Sequence, residues 1–285
     1  MIVQFPSLGS NGGFGNQIFQ YFFLIAAKRR FGAEIRTPIW IGERYFDISP
    51  TIQLEHSAFS HNFYDPERNR SLNADIETLG TFLSEHHVVD VTGFFQYHTS
   101  HMNSNREMFN QVYGFNSNFE YRIACSGLKT TFDNEFVLAV HIRQADYLNY
   151  RNHPFIFAPD VDDYVSSIIR ILDSSPRGVR IYLCSDELAL VGYKFTQARI
   201  PFITRLDFLA NIPSVDDCDA TLVDFYAMSR ASALVISNSS FSMSAAMLNG
   251  RSTIFLRPSI HDHQFVPFSP WNSPVLLSRT GRYEF

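Results

Sequence analysis

At 285 residues the chain exceeds one comfortable core and fits two domains of ordinary size. Its 45% hydrophobic and 18% charged content excludes a disordered protein, and 28 Phe with 13 Tyr point to a core of packed rings. A net charge of −5 argues against a nucleic-acid binder, while three scattered cysteines (Cys125, Cys184, Cys218) argue for reduced thiols in a cytoplasmic setting.

Met1–Phe5 reads as a short apolar strand entering Pro6 and a Gly-rich loop, not as a signal peptide. Gly12-Gly13-Phe14-Gly15-Asn16-Gln17 follows, and a helical pattern then covers Ile18–Arg30. Glycines let backbone approach a ligand, and a helix N-terminus offers N–H groups to an anion. Ile18 stands where a dinucleotide fingerprint has its third glycine, so a tight structural turn explains the segment as well. The longest apolar stretch, Ile18–Ala27, is interrupted by Gln20 and falls short of the ~20 residues that span a bilayer, so no membrane span is expected. Residues 65–75 (DPERNRSLNAD) form a charged surface excursion, and Val88–Val91 is the next apolar strand. The polar stretch from Ser117 to Asn134 separates an aromatic-rich first part from a strongly apolar strand, and the expected domains are 1–125 and 126–285.

That strand, Phe136–Ile142, ends in Val140-His141-Ile142-Arg143-Gln144-Ala145-Asp146-Tyr147. An arginine leaving a strand there can fork onto a phosphate, or Arg143 and Asp146 can form a structural ion pair. Asp160-Val161-Asp162 matches the DxD of metal-dependent sugar transferases, but it follows Pro159 and precedes the helical run Tyr164–Leu172, the place of a helix cap. Ser185-Asp186-Glu187 follows the strand Arg180–Cys184 and can hydrogen-bond a sugar or cap the next helix. After the helical run Leu222–Ser232, the strand Leu234–Ser237 opens into Ser237-Asn238-Ser239-Ser240-Phe241-Ser242. Its hydroxyls, amide and following helix start make a metal-free anion cradle. Thr253–Leu256 is the last apolar strand, and His261-Asp262-His263 lacks neighbours to complete a metal shell. Strands alternating with helices imply βαβ units around parallel sheets, whose ligand loops lie at the carboxyl ends of the strands.

Taken in order, these segments resemble the alpha-1,2-fucosyltransferase family. Gly13 to Tyr21 is similar to its GGxGNQxFQY signature, and Gly93-Phe94-Phe95-Gln96 to its internal G-Y-F-Q. His141 to Tyr147 resembles HxRRxDY, and SNSSFSMSAAMLN (Ser237 to Asn249) resembles SNSTFSWWGAWLN. The resemblance implies an α/β fold of the GT-B type, two Rossmann-like domains facing a central cleft, the first on the acceptor side and the second binding GDP-fucose. It implies that Arg143 holds the β-phosphate, Asp224 the guanine, and that His141, Ser239, Ser240 and Phe241 line the nucleotide, with Asn16 facing the donor. Gly13, Ser185, Asp186 and Asn238 complete the expected donor set. Gln144 stands where the family has a second Arg, Ala145 where it has Gly, and Met243-Ser244 where it has an aromatic pair.

The expected reaction is inverting transfer of L-fucose from GDP-β-L-fucose to a glycan acceptor, O-2 of galactose by the resemblance. No cofactor or metal is expected, nor a nucleic-acid or membrane partner. Such a step needs charge stabilisation on the departing side and a base on the attacking side. Arg143 serves the first need, and Asp146 is the nearest candidate by motif for the second. An inactive nucleotide- or glycan-binding homologue and a fucosyltransferase of another linkage are the alternatives, with a metal-dependent enzyme using Asp160 and Asp162 as a third.

Overall fold

A computed structural model describes residues 1–48, 54, 61–64, 72–149, 153–156, 159–175, 178–212, 217–259 and 264–279. The chain forms two compact units. The first holds Met1–Asn116 and Trp271–Val275, and the second Ser117–Pro270 with the stretch from Leu276. The division thus falls between Asn116 and Ser117, ahead of the 125/126 split expected from sequence, because Ser117–Cys125 is already a helix of the second unit.

The first unit is built on a parallel sheet of β1 (Ile2–Gln4), β2 (Glu34–Arg36), β3 (His61–Tyr64) and β4 (Val88–Thr92), in the order β2-β1-β4-β3. The helix Phe14–Phe31 follows β1 and buries an unbroken run from Ile18 to Leu24, which includes the rings of Phe19, Tyr21, Phe22 and Phe23. Its rings interlock with others of the unit: Phe23 stacks on Phe95 at 4.0 Å and Phe22 meets Phe109 edge-on at 5.0 Å. The helix stops at Gly32, whose left-handed φ of 64° lets its N–H reach the Lys28 carbonyl.

The second unit is a six-stranded sheet of β5 (Phe136–Ile142), β6 (Val179–Ser185), β7 (Phe202–Ile203), β8 (Ala233–Val235), β9 (Ile254–Pro258) and β10 (Phe265–Pro267). The order is β10-β9-β8-β5-β6-β7, parallel except for β10. The chain runs outward from β5 through β6 to β7, then returns to lay β8 and β9 on the other side of β5. The reversal sits between β5 and β8, and in open α/β sheets ligands bind beyond the strand ends at that place. Side chains alternate along β5. Leu138, Val140 and Ile142 enter a core with Val161, Tyr164 and Ile168 of the helix Val161–Ser174. His141 lies on the opposite face, beside Phe241. The parallel α/β class read from sequence is the one observed.

Candidate active site

In the second unit, Arg143 leaves the end of β5 and the Ser-rich loop leaves the end of β8, on either side of the reversal. One hydroxyl ties them together. Ser237 Oγ accepts from the Arg143 backbone N–H at 2.8 Å and donates to the His141 carbonyl at 2.8 Å, with the Tyr164 hydroxyl 3.2 Å away. The guanidinium of Arg143 is fixed at its inner side by Asp186, Nε to Oδ2 at 3.1 Å, and lies over the Tyr147 ring at 5.5 Å. A third of its side chain stays exposed (34%), enough to meet a ligand.

Gln144 points the other way, as alternation requires. It is buried, donating through Nε2 to the Pro159 carbonyl at 3.1 Å, while its backbone N–H donates to Asp186 Oδ1 at 2.9 Å. Asp186 therefore braces the turn and Arg143 together. Ser185 is internal as well: its hydroxyl donates to the Ile142 carbonyl at 2.7 Å and accepts from the Glu187 N–H at 3.0 Å. Asp146 lies in the short 3-10 turn Ala145–Asn149, and its side chain, with the Arg143–Asp146 ion pair read from sequence, is outside the described residues; the described carboxylate partner of Arg143 is Asp186.

The Ser-rich loop divides its labour. Asn238 is fully buried, with Nδ2 donating to the carbonyls of Phe155 (2.8 Å) and Leu277 (3.2 Å). Its Oδ1 accepts from the Leu277 N–H at 2.6 Å and from Arg257 Nη2 at 3.3 Å. An amide has two donors and one oxygen with two lone pairs, so the Asn238 side chain is fully used as an anchor of the loop. Ser239 caps the helix Ser240–Leu248, accepting from the Phe241 N–H at 3.3 Å. Ser240 and Phe241 are partly exposed at the first turn. The Phe241 ring lies 5.5 Å from His141 and 5.4 Å from Phe225.

His141 is buried, and its Nδ1 has no hydrogen-bond partner among the described residues. Burial, helped by the Arg143 charge, holds its pKa down to about 3, so the imidazole is neutral at ordinary pH. Asp224, on the helix Asp217–Arg230, is buried too and is raised to about 6 by desolvation, which the Arg205 charge only partly offsets. Its Oδ1 accepts from the Tyr182 hydroxyl at 3.0 Å and its Oδ2 from Arg205 Nη1. Arg205 also donates to the Ser185 carbonyl at 3.2 Å.

The glycine loop belongs to the first unit. Gly12 has φ +83°, and a Cβ there would stand 2.1 Å from Asn16 Nδ2. Gln17 Nε2 donates to the carbonyls of Gly9 (3.3 Å) and Gly12 (3.2 Å), and Gln20 Nε2 to those of Asn11 (3.0 Å) and Gly93 (3.1 Å). Asn16 Oδ1 accepts from Gln96 Nε2 at 2.5 Å. Gly13 precedes the helix with no side-chain cap, and a Cβ on it would meet open space. Gln96 ends the turn Gly93–Gln96, where Phe95 holds a left-handed φ of 51°.

The DxD candidate is a helix cap: Asp160 Oδ1 accepts from the Asp162 N–H at 3.0 Å, and Asp162 pairs with Lys194 at 3.0 Å. His261-Asp262-His263, and residues 65–71 of the charged excursion, lie outside the described residues. Among the described residues no group of three or more His, Cys, Asp or Glu could hold a metal, and no helix is long and apolar enough to cross a membrane. Sequence reasoning missed Ser237 as the hub, which an uncharged hydroxyl in a serine run does not announce. It missed Arg205, which follows a strand of only two residues.

The architecture is shared with solved fucosyltransferase structures. NodZ alpha-1,6-fucosyltransferase soaked with GDP-fucose matches with a TM-score of 0.59 at 14% identity, over 94% of this chain and 98% of that one. NodZ from Bradyrhizobium matches with a TM-score of 0.58 at 14% identity, over the same shares. A mutant of Arabidopsis thaliana FUT1 in complex with GDP matches with a TM-score of 0.54 at 11% identity, over 90% of this chain and 70% of that one. No curated protein matches the sequence. The family description "Glycosyl transferase family 11" matches residues 5–269, from just after β1 through every motif described above, and the chain belongs to that family.

Proposed function

We propose that the protein transfers L-fucose from GDP-fucose to a sugar hydroxyl with inversion, in alpha-1,2 linkage and with O-2 of galactose as the acceptor position. The observation that carries this reading is that the Ser237 hydroxyl, just ahead of the capped helix Ser240–Leu248, bonds the backbone at His141 and Arg143, so that the end of β5 and the Ser-rich loop are tied together across the sheet reversal. A guanidinium and a helix start at one sheet edge are the groups that a diphosphate leaving group calls for, since they can stabilise its growing charge without a cation. Asp186 keeps the guanidinium aimed. Ser239 and Ser240 line the phosphates, and His141, neutral in the working range, borders the nucleotide with Phe241. Asp224 presents carboxylate oxygens suited to guanine N–H donors, and Asp146 is the base taking the acceptor proton. Support for the fucose donor comes from the family and from the relatives, of which NodZ was soaked with GDP-fucose.

The test is GDP release from a panel of sugar nucleotides and galactosides in excess EDTA. GDP-fucose with a terminal galactoside should turn over, and chelation should leave the rate unchanged. A strict need for a divalent cation, or turnover only with a UDP-sugar, would overturn the proposal. Product linkage follows from methylation analysis.

A further inference from the structure

We infer that Arg205 is a second base-reading residue, which donates hydrogen bonds to the acceptor edge of guanine while locking the Asp224 carboxylate beside it. The inference rests on the reading of Asp224 given above, and on the following geometry. Arg205 leaves the end of β7, at the same carboxyl edge of the sheet as Ser185 and Arg143. Its Nη1 bridges two acceptors, Asp224 Oδ2 and the Ser185 carbonyl, the latter at 3.2 Å. Both of its hydrogen bonds among the described residues come from Nη1, so Nε and Nη2 keep their donors. The Asp224 side chain is only 6% exposed against 21% for Arg205, so the guanidinium is the member of the pair that an incoming base meets.

The chemistry of such a pair selects one base. Guanine offers O6 and N7 as acceptors, the preferred partners of a guanidinium fork, and on the adjoining Watson–Crick edge N1–H and the 2-amino group, which suit a carboxylate. Adenine replaces O6 with an amine donor, which a guanidinium cannot accept. An aspartate alone, pinned by the Tyr182 hydroxyl at 3.0 Å and by Arg205, answers only the N–H half of guanine. The Arg205 charge is also the foremost of the influences that offset burial and favour the ionised Asp224 carboxylate, ahead of its hydrogen bonds from Arg205, Tyr182 and Cys184. Arg205 therefore does two things: it reads oxygen on the base and orients the group that reads nitrogen.

Binding of GDP, IDP, ADP and inorganic pyrophosphate by calorimetry tests this, with wild type, Arg205→Gln, Arg205→Lys and Asp224→Asn. IDP keeps O6 but lacks the 2-amino group, so it separates the two readers. Arg205→Gln should weaken both GDP and IDP, on the order of ten-fold for a lost fork and somewhat more for GDP because Asp224 loses its orienting partner, with little change for ADP or pyrophosphate. Asp224→Asn should weaken GDP more than IDP. Arg205→Lys keeps the charge beside Asp224 and hence the fold, and should still lose most of the GDP-over-ADP preference. The inference is overturned if the Arg205 variants, folded by circular dichroism, keep the wild-type GDP-to-ADP ratio. It is overturned equally if GDP, ADP and pyrophosphate weaken by one common factor, which marks a phosphate or scaffold residue. Should wild type itself bind GDP and ADP alike, the guanine reading of Asp224 has failed before Arg205 is at issue.

Discussion

Both sheets reverse their strand order, the first between β1 and β4 and the second between β5 and β8, and both carry a sequence motif at that place. The two motifs use their polar groups in opposite ways. In the first unit, Gln17 and Gln20 turn their amide nitrogens inward onto four loop carbonyls, and Asn16 accepts from Gln96. The motif there folds its own loop. In the second unit internal bonds from Ser237, Asn238 and Asp186 brace the turns, while the Arg143 guanidinium and the first turn of Ser240–Leu248 keep exposed surface. One edge is built for shape and the other for charge.

Breaking the charged edge should give the largest effect. Arg143→Ala should lower turnover by about 10²–10³ with the fold intact, since it removes a donor to developing charge. Arg143→Lys should recover little, because an ammonium lacks the planar fork. Gln144→Ala, the neighbour facing the other side of the sheet, should cost much less, mainly through the Pro159 carbonyl it leaves unbonded. GDP release with circular dichroism as the folding control reads all three. Parity between Arg143→Ala and Gln144→Ala would erase the distinction drawn between the two faces.

Breaking the shaped edge should act on stability instead. Gly12→Ala forces a side chain into a φ of +83° and against Asn16 Nδ2, at a cost of roughly 1–3 kcal/mol. Thermal unfolding should move down by several degrees, while GDP affinity at a temperature where the protein is folded should be unchanged. A loss of GDP affinity with unchanged melting would reverse the roles of the two loops.

A pH series gives the smallest effect and refines the charged edge further. Asp224 is raised from the usual carboxylate value to about 6, chiefly by burial. A raised pKa adds stability below the unfolded value near 3.8, and that contribution disappears as pH rises through about 6. Guanine recognition runs the other way, because it needs the ionised carboxylate. The GDP-to-ADP affinity ratio, in which phosphate titration cancels, should be flat above pH 7 and decline below about 6. His141, neutral down to about 3, adds nothing in that window. Asp224→Asn should flatten the profile, and a ratio that rises toward acid would refute the assignment.

Much of this was legible in the sequence for a simple reason. An apolar strand that ends abruptly in His-Ile-Arg or Ser-Asn-Ser marks a sheet edge with chemistry on it, and both edges are where they were expected. Polar identity, however, does not give direction. Ser185 and Asn238 read by identity as groups for the donor, and nothing in the sequence signals that their side chains also tie loop and strand backbone together. The edge strands Glu34–Arg36 and Phe202–Ile203 were missed because two or three residues show no period, and Arg205 was lost with the second of them. The helix Phe14–Phe31 begins four residues before the expected Ile18, since Gly15 and Asn16 weaken the pattern while Gly13 leaves no capping side chain to mark the start.

The most direct test of the account is hydrogen exchange by mass spectrometry with and without GDP. Saturating GDP should slow exchange in peptides covering Ile142–Tyr147 and Ser237–Ser242, and Arg143→Ala should abolish that protection at the same concentration. Protection confined to other segments, with these two unchanged, would show that the diphosphate is held elsewhere and contradict the central claim.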